Sequence, residues 1–178
     1  MSKGTLLIIG GTGFFGRTFC QAFLDGKLSG FGFDKLTLVS RNASEFAARK
    51  GLAAIKSLQF QDIDTSKPFD LPACSYLMHF AASSSKATYA QNAMDECANI
   101  RSSVMQTVAA IRAAAEKPSH LLMTSSGAVY GPTSQTLFSE ADSTGRFDGF
   151  GQEKASYGAG KLDGERCFRL LASQDVNP

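Results

Sequence analysis

The chain has little of what metal centres, disulfide frameworks and membrane spans require. It contains only two histidines, His79 and His120, and four widely spaced cysteines with no CxxC pair. This scarcity argues against a zinc site and a disulfide framework, and it predicts reduced, buried cysteines. No apolar run approaches the roughly 20 residues that span a bilayer, and the apolar segment after Lys3 is too short for a signal peptide. The sequence therefore predicts a cytoplasmic protein with no membrane partner.

An excess of charge of one sign is also missing. The chain has 18 basic and 16 acidic residues, a formal net charge of +2, and no run of Lys and Arg. Nucleic-acid backbones and anionic bilayers are bound through such runs, so nucleic acid is not predicted as a partner. The 178 residues, 43% of them hydrophobic, predict one globular domain with a sizeable core.

Short apolar runs alternate along the chain with longer segments of helical spacing. Strands are predicted at Thr5–Ile9, Leu36–Ser40, Leu58–Phe60, Tyr76–Phe80 and Leu121–Ser125. Helices are predicted at Phe14–Leu24, Ser44–Lys50, Tyr89–Glu116 and Tyr157–Ala172. This alternation predicts an α/β fold, a doubly wound parallel sheet with helices on both faces, whose ligands bind beyond the carboxyl ends of the strands.

A glycine-rich turn joins the first strand to the first helix. Gly10, Gly13 and Gly16 lie in the segment GGTGFFG. Glycines in this context let the backbone turn tightly, approach a pyrophosphate and pack the helix close to the sheet. The segment is also close to a phosphate-binding P-loop, although Arg17 takes the position of its lysine, and glycines also simply end strands. The position between a strand and a helix favours a dinucleotide.

The residues after the second strand bear on which dinucleotide binds. NAD is usually held there by an acidic side chain, whereas this chain has Ser40-Arg41-Asn42. Arg41 favours the 2′-phosphate of NADP through a bidentate pair, with NAD as the alternative. Two alternatives are open for Arg41: its side chain stacks on the adenine ring, or it points into solvent and has no role in binding. Asp62 and Ile63, after the third strand, are candidates for adenine contacts, and Asp62 is equally a candidate turn residue.

Tyr157 and Lys161 form a YxxxK pair, and residues four apart share one face of a helix. A phenol with a pKa of about 10 is a poor base at neutral pH, and a nearby cation favours its ionised form. At ~4 Å and an effective dielectric constant of ~20, one charge contributes up to about 4 kcal/mol. Ser126, at the end of the fifth strand, is placed to hydrogen-bond a substrate oxygen. The pattern predicts proton transfer coupled to hydride transfer, with an ordinary surface Tyr and Lys as the alternative.

Five motifs in this order resemble those of the extended short-chain dehydrogenase/reductases, specifically the NAD-dependent epimerase/dehydratase group, which acts mostly on nucleotide sugars. The resemblance covers nearly the whole chain and implies a Rossmann-like fold. It rests on GGTGFFG, His79-Phe-Ala-Ala82, Asn99-Ile100, Thr124-Ser-Ser-Gly-Ala-Val-Tyr130-Gly and Tyr157-Gly-Ala-Gly-Lys161.

The resemblance implies roles for individual residues. Tyr157 would be the general acid/base, Lys161 would bind the nicotinamide ribose and lower the tyrosine pKa, and Ser126 would orient the substrate. Asn99 would support catalysis, with stabilisation of a helix kink as its alternative. The remaining implied cofactor contacts are Phe14, Phe15, His79, Phe80, Ala81 and Ala82, with a hydrogen-bonded structural histidine at a strand end as the alternative for His79.

The chain departs from the family pattern in two places. Arg41 stands where many members have an acid, which favours NADPH and, mildly, a keto-sugar reductase that exchanges its cofactor. The chain also ends at Pro178, where relatives continue into a lobe that binds the sugar nucleotide. Residues 1–178 are therefore expected to be an NAD(P)-binding domain without that lobe, whose exposed sheet edge promotes a homodimer. A non-catalytic dinucleotide-binding module is the competing hypothesis.

Overall fold

The computed structural model describes residues 4–82, 86–134 and 137–175. Its strands are β1 (Gly4–Ile9), β2 (Phe33–Ser40), β3 (Leu58–Asp62), β4 (Tyr76–His79) and β5 (His120–Met123). Its α-helices are α1 (Phe14–Leu24), α2 (Ala43–Arg49), α3 (Lys86–Ala113) and α4 (Gln152–Asp175). Single 3₁₀ turns lie at Ser29–Phe31 and Gly127–Tyr130.

The chain divides into two compact units. The first comprises Met1–Ala81 and Gln106–Thr124 and contains the sheet, and the second comprises Ala82–Met105 and Ser125–Pro178. No helix within the described residues is both long enough and apolar enough to cross a membrane.

The sheet of the first unit has the strand order β3-β2-β1-β4-β5, and every neighbouring pair is parallel. This is the order of a doubly wound sheet, whose strand order reverses between β1 and β4. The predicted α/β fold is therefore confirmed. The carboxyl ends of β1 and β4 meet at this switch point, because Ile9 pairs with His79 in the register of the two strands.

The core of the first unit is built around the strongly apolar strand β1. Leu6 to Ile9 are fully buried, so both faces of this central strand are covered. On one face the strands pack against α1 and α2. The cluster there consists of Leu6, Ile8, Cys20, Phe33, Leu36, Leu38, Phe46 and Leu58. At the edge of the sheet, Leu122 of β5 is 47% exposed.

Element boundaries differ from the predictions mainly where polar residues hide a pattern. Helix α1 has the predicted bounds. Strand β2 begins at Phe33 and not at Leu36, and this start was missed because Asp34 and Lys35 are exposed polar residues that interrupt the apolar run. Helix α4 begins at Gln152, so Tyr157 lies inside the helix and not at its start. Gly149, with φ of +87°, turns the chain within the loop that precedes α4.

Candidate functional site

The glycine turn after β1 is packed too closely for side chains. Gly10 has a φ of +83°, and a Cβ on it would lie 2.7 Å from the backbone nitrogen of Ala81. A Cβ on Gly11 would lie 2.7 Å from the Cβ of Leu38, and one on Gly16 would overlap the carbonyl group of Gly11. The predicted need for glycine at positions 10 and 16 is therefore steric. Sequence reasoning missed Gly11, although the doubled glycine was a signal for it.

Gly13 serves a different purpose at the start of α1. It is the N-cap residue, has extended backbone angles and makes no side-chain cap. The first N–H groups of a helix lack intrahelical acceptors, so they point out of α1 beside this bare glycine. Such an N-terminus is suited to a phosphate group. The turn thus fits the pyrophosphate of a dinucleotide.

A polar cluster connects the glycine turn to the end of β2. The hydroxyl of Thr12 lies 3.1 Å from the Ser40 hydroxyl, to which it donates, and 3.3 Å from Oδ1 of Asn42. The backbone N–H of Asn42 also donates to the Ser40 hydroxyl, at 3.4 Å. These three residues were not predicted as site residues, because they come together only when β1 and β2 pair.

Arg41 lies beside this cluster and is exposed. Its guanidinium makes no hydrogen bond or ion pair within the part of the chain that the structure describes. Its charge reaches Asp64, whose pKa is lowered first by hydrogen bonds from Ser66 and to a smaller extent by Lys67 and Arg41. Arg41 is thus placed to meet an anionic group at the carboxyl end of β2.

Asp62 has a structural partner. Its carboxylate accepts a hydrogen bond of 2.8 Å from the backbone N–H of Ser44 in the first turn of α2. Hydrogen bonds from Ser44, and more weakly from Ala43, lower the pKa of Asp62. The backbone N–H of Ile63 donates to the carbonyl of Ser40 at 3.0 Å. Asp62 therefore stabilises the start of a helix, and its role toward adenine stays a prediction.

Aromatic rings line the start of α1. Phe14 is 74% exposed and Phe15 is 50% exposed, and their rings make an edge contact. The ring of Phe80, just after β4, lies 5.5 Å from those of both Phe15 and Phe19. Three phenylalanines assigned to cofactor binding, at positions 14, 15 and 80, thus form one continuous surface next to the glycine turn.

The other residues predicted to contact the cofactor at the end of β4 lie in different environments. His79 is fully buried at the end of β4, and the backbone of Ala81 closes against Gly10. Ala82 is half-buried and belongs to the second unit. Their proposed cofactor contacts stay predictions.

Tyr157 and Lys161 lie together on α4 in the second unit. The Nζ atom of Lys161 is 5.8 Å from the centroid of the Tyr157 ring, and the lysine is only 2% exposed. Burial lowers the pKa of Lys161 to about 8 from its ordinary 10.5, because desolvation penalises the charged form. The helix thus brings the two predicted side chains to one place.

The expected depression of the tyrosine pKa is not found. Burial raises the pKa of Tyr157 above its ordinary value of 10.0. The ammonium of Lys161 lies 5.8 Å from the centroid of the ring, and burial of the phenol is the cause of the raised pKa. Desolvation of the phenol therefore outweighs attraction by the cation in this structure.

Ser126 precedes the 3₁₀ turn Gly127–Tyr130 and caps it. Its hydroxyl oxygen accepts a hydrogen bond of 3.2 Å from the backbone N–H of Ala128. The turn packs closely on α4, since a Cβ on Gly158 would lie 2.8 Å from the carbonyl oxygen of Ala128. The glycine beside Tyr157 was not predicted to matter, but it lets the serine segment approach the helix.

Asn99, predicted to support catalysis, is a residue of α3 in the same unit, and this role stays a prediction. It lies on an exposed part of α3, while its neighbour Ile100 packs against Gly160 of α4. The alternative role, stabilising a kink, is misplaced, because the non-helical backbone of α3 is at Asn92, with φ of −141° and ψ of 53°. The helix register decides which of two adjacent residues faces α4.

A parallel sheet of this order, with a glycine-lined helix start at its switch point, defines the class of Rossmann-like dinucleotide-binding folds. The sequence profile of the NAD dependent epimerase/dehydratase family matches residues 6–177. The chain belongs to that family, as its motifs predicted.

Solved structures of this fold include enzymes that act on nucleotide sugars. The UDP-Glc/GlcNAc 4-epimerase of Campylobacter jejuni is 20% identical, with a TM-score of 0.75 over 96% of this chain and 50% of the epimerase. A UDP-glucose-4-epimerase of Stenotrophomonas maltophila, solved with NAD and formylated UDP-arabinopyranose, is 21% identical, with a TM-score of 0.72 over 98% of this chain and 50% of that enzyme. The dTDP-glucose 4,6-dehydratase of Streptomyces venezuelae is 18% identical, with a TM-score of 0.68 over 94% of this chain and 52% of the dehydratase.

The chain therefore spans about half the length of these enzymes. At such identities the likeness establishes the fold. A comparison with curated protein sequences gave no match.

Proposed function

We propose that the chain is the NAD(P)-binding part of an extended short-chain dehydrogenase/reductase that acts on a nucleotide sugar. The observation that carries the proposal is the second unit, where Tyr157 and Lys161 share one helix and the turn after Ser126 packs against that helix. Membership of the epimerase/dehydratase family supports it. Structures of the same fold were solved with NAD and UDP or a UDP sugar, which supports this substrate class.

The chain's own residues supply binding and proton transfer. The glycine turn and the start of α1 bind the pyrophosphate, and Ser126 holds the substrate oxygen. Tyr157 takes a proton from the substrate hydroxyl, or returns one, as general base or acid. Lys161 keeps most of its charge near neutral pH, since its pKa is about 8, and offsets the negative charge of the phenolate. The nicotinamide ring, when bound, accepts or donates the hydride.

We further propose NADP as the preferred cofactor, and with it a mild preference for an NADPH-dependent keto-sugar reductase. Arg41 is exposed, makes no ion pair within the described ranges, and stands beside the hydroxyl groups of Thr12 and Ser40. An arginine in this position suits a phosphate better than a ribose hydroxyl.

The cofactor proposal is tested by titrating the chain with NADP(H) and NAD(H). Arg41→Ala should weaken NADP(H) binding by about 10- to 100-fold, the effect of losing a charged hydrogen bond, and leave NAD(H) unchanged. Arg49→Ala is the matched control, since Arg49 is an exposed arginine of the same unit, paired with Glu45 at 3.6 Å. An unchanged NADP(H) profile in Arg41→Ala would remove the preference.

A non-catalytic dinucleotide-binding module is the second candidate. It is favoured by the raised pKa of Tyr157, which is the wrong direction for a base. The two candidates differ in what NADP⁺ does to the tyrosine. Tyrosine absorbance titrations of the chain and of Tyr157→Phe isolate the Tyr157 pKa. A fall of that pKa on adding NADP⁺ supports the enzyme, and an unchanged value supports the module.

The remaining predictions stand as part of this proposal. Residues 1–178 form the dinucleotide-binding domain, the protein is cytoplasmic, and a second copy of the chain is its partner. The homodimer is supported by the edge strand β5, where Leu122 is 47% exposed. Sedimentation of the chain, compared with Leu122→Lys, tests it.

A further inference from the structure

Glu165 lies two turns beyond Tyr157 on α4 and was given no role above. Tyr157, Lys161 and Glu165 are spaced four residues apart, so they share one face of the helix. The Glu165 carboxylate accepts a hydrogen bond from the hydroxyl of Ser125 and pairs with Arg169 at 3.1 Å. Its side chain is 19% exposed, so the charge is partly withdrawn from water. Glu165 therefore connects α4 to the residue before Ser126.

The segment that holds Ser126 is attached to α4 at both ends. At one end the carbonyl of Ala128 closes on Gly158. At the other end Ser125 donates to Glu165. The two attachment points on the helix are seven residues apart, roughly 10 Å at the rise of an α-helix. Lys161 lies between Gly158 and Glu165 on the helix, and Tyr157 is the residue just before Gly158.

We propose that Glu165 is a positioning residue that fixes the Ser126 hydroxyl over the face of α4 carrying Tyr157 and Lys161. The inference rests on the proposed function, which gives those three side chains a shared task. Ser125 is exposed, so without the carboxylate its hydroxyl turns to water and the segment loses its hydrogen bond to Glu165, while the contact at Gly158 remains. A hydrogen bond to a carboxylate is stronger than one between neutral groups, so this attachment is substantial.

The backbone N–H of Ala128 is a direct reporter, because it donates to the Ser126 hydroxyl. Amide hydrogen exchange of the whole chain, followed by NMR, measures how often that bond opens. Glu165→Ala should speed exchange at Ala128 by about tenfold or more, the effect of losing a charged hydrogen bond, while amides of β1 keep their protection. Ser125→Ala should give the same change, and the double variant should add nothing to it.

Two matched variants separate positioning from general packing. Glu165→Gln keeps an oxygen that accepts from Ser125 but loses the charge, so exchange at Ala128 should rise clearly less than in Glu165→Ala. Arg169→Met removes the ion pair but leaves the Ser125 contact, so it should have little effect. If Glu165→Ala does not fold, Ser125→Ala and Glu165→Gln carry the test.

The second readout is the pKa of Tyr157, obtained by the absorbance titration described above. Burial raises this pKa, so loosening the serine segment should admit water and bring the pKa down toward about 10 in Glu165→Ala. Unchanged Ala128 exchange with an unchanged Tyr157 pKa would overturn the proposal. So would faster exchange at Ala128 and β1 alike, which would mark general destabilisation.

These measurements use neither cofactor nor substrate. The absence of dinucleotide binding or turnover would refute the proposed function and leave the positioning result intact. Conversely, normal turnover in Glu165→Ala would overturn the positioning role and leave the proposed function standing.

Discussion

The buried ammonium of Lys161 should make the stability of the protein depend on pH in a way that a single substitution removes. The lysine is 2% exposed, and its pKa is lowered to about 8 from 10.5. Between these two values the unfolded chain binds a proton that the folded chain has released. The free energy of unfolding therefore rises with pH across this window, because the cost of burying the charge disappears.

The size of the effect follows from the two pKa values. Their difference corresponds to about 3 kcal/mol at about 1.36 kcal/mol per pKa unit. Roughly three quarters of this is recovered between about pH 7 and about pH 10, since the unfolded chain is still largely protonated at the upper limit. Lys161→Met has a side chain of similar length and no charge, so it should lack this rise.

Urea denaturation followed by circular dichroism measures the effect, since the chain has no tryptophan. The quantity to plot is the free energy of unfolding of Lys161→Met minus that of the unchanged protein. Tyr157, with its raised pKa, lowers stability only above about pH 10 and is present in both proteins. Lys154→Met is the control for removing a lysine of α4, because Lys154 is exposed over the Phe150 ring. A difference that stays constant over the whole range would refute the reasoning.

Two further predictions concern the glycine turn and the phenol. Gly16→Ala should lower the free energy of unfolding by about 1–3 kcal/mol, because its Cβ would overlap the rigid carbonyl group of Gly11, and it should also weaken NADP(H) binding. Gly13→Ala, which meets only the Gly10 carbonyl oxygen at 3.2 Å, should cost less in urea denaturation, and equal losses would contradict the packing argument. Tyr157→Phe should keep dinucleotide affinity and lower turnover of a nucleotide sugar by at least about 100-fold. Near-normal turnover would eliminate Tyr157 as the acid/base.

Much of the fold could be predicted because its signals are local. Helix α1 has the predicted bounds, since its apolar spacing begins just after Gly13 and stops before Gly26. The parallel sheet followed from alternating strands and helices, which almost always connect with one handedness. The start of α4 was missed because residues 152–156 carry no apolar stripe of their own.

The motifs predicted the residues of the candidate site, whose roles stay predictions, but not their electrostatics. The motifs located Tyr157, Lys161 and Ser126, and the structure places the lysine beside the ring. The direction of the tyrosine pKa was wrong, because a spacing of four residues fixes a helix face but not the depth at which that face is buried. The role of Asn99 stays a prediction, and the sequence did not show that packing selects its neighbour Ile100 to face Gly160.

By itself, the sequence determined the family, the parallel α/β fold and the need for glycine at positions 10 and 16, because periodicity and glycine placement act over a few residues. Only the tertiary structure decided that Thr12 meets Ser40, that Ser125 reaches Glu165 and that the ammonium of Lys161 loses its water. The physical reason is that hydrogen bonds and desolvation depend on distances between residues that are far apart along the chain, and these distances are fixed only when the sheet and helices pack.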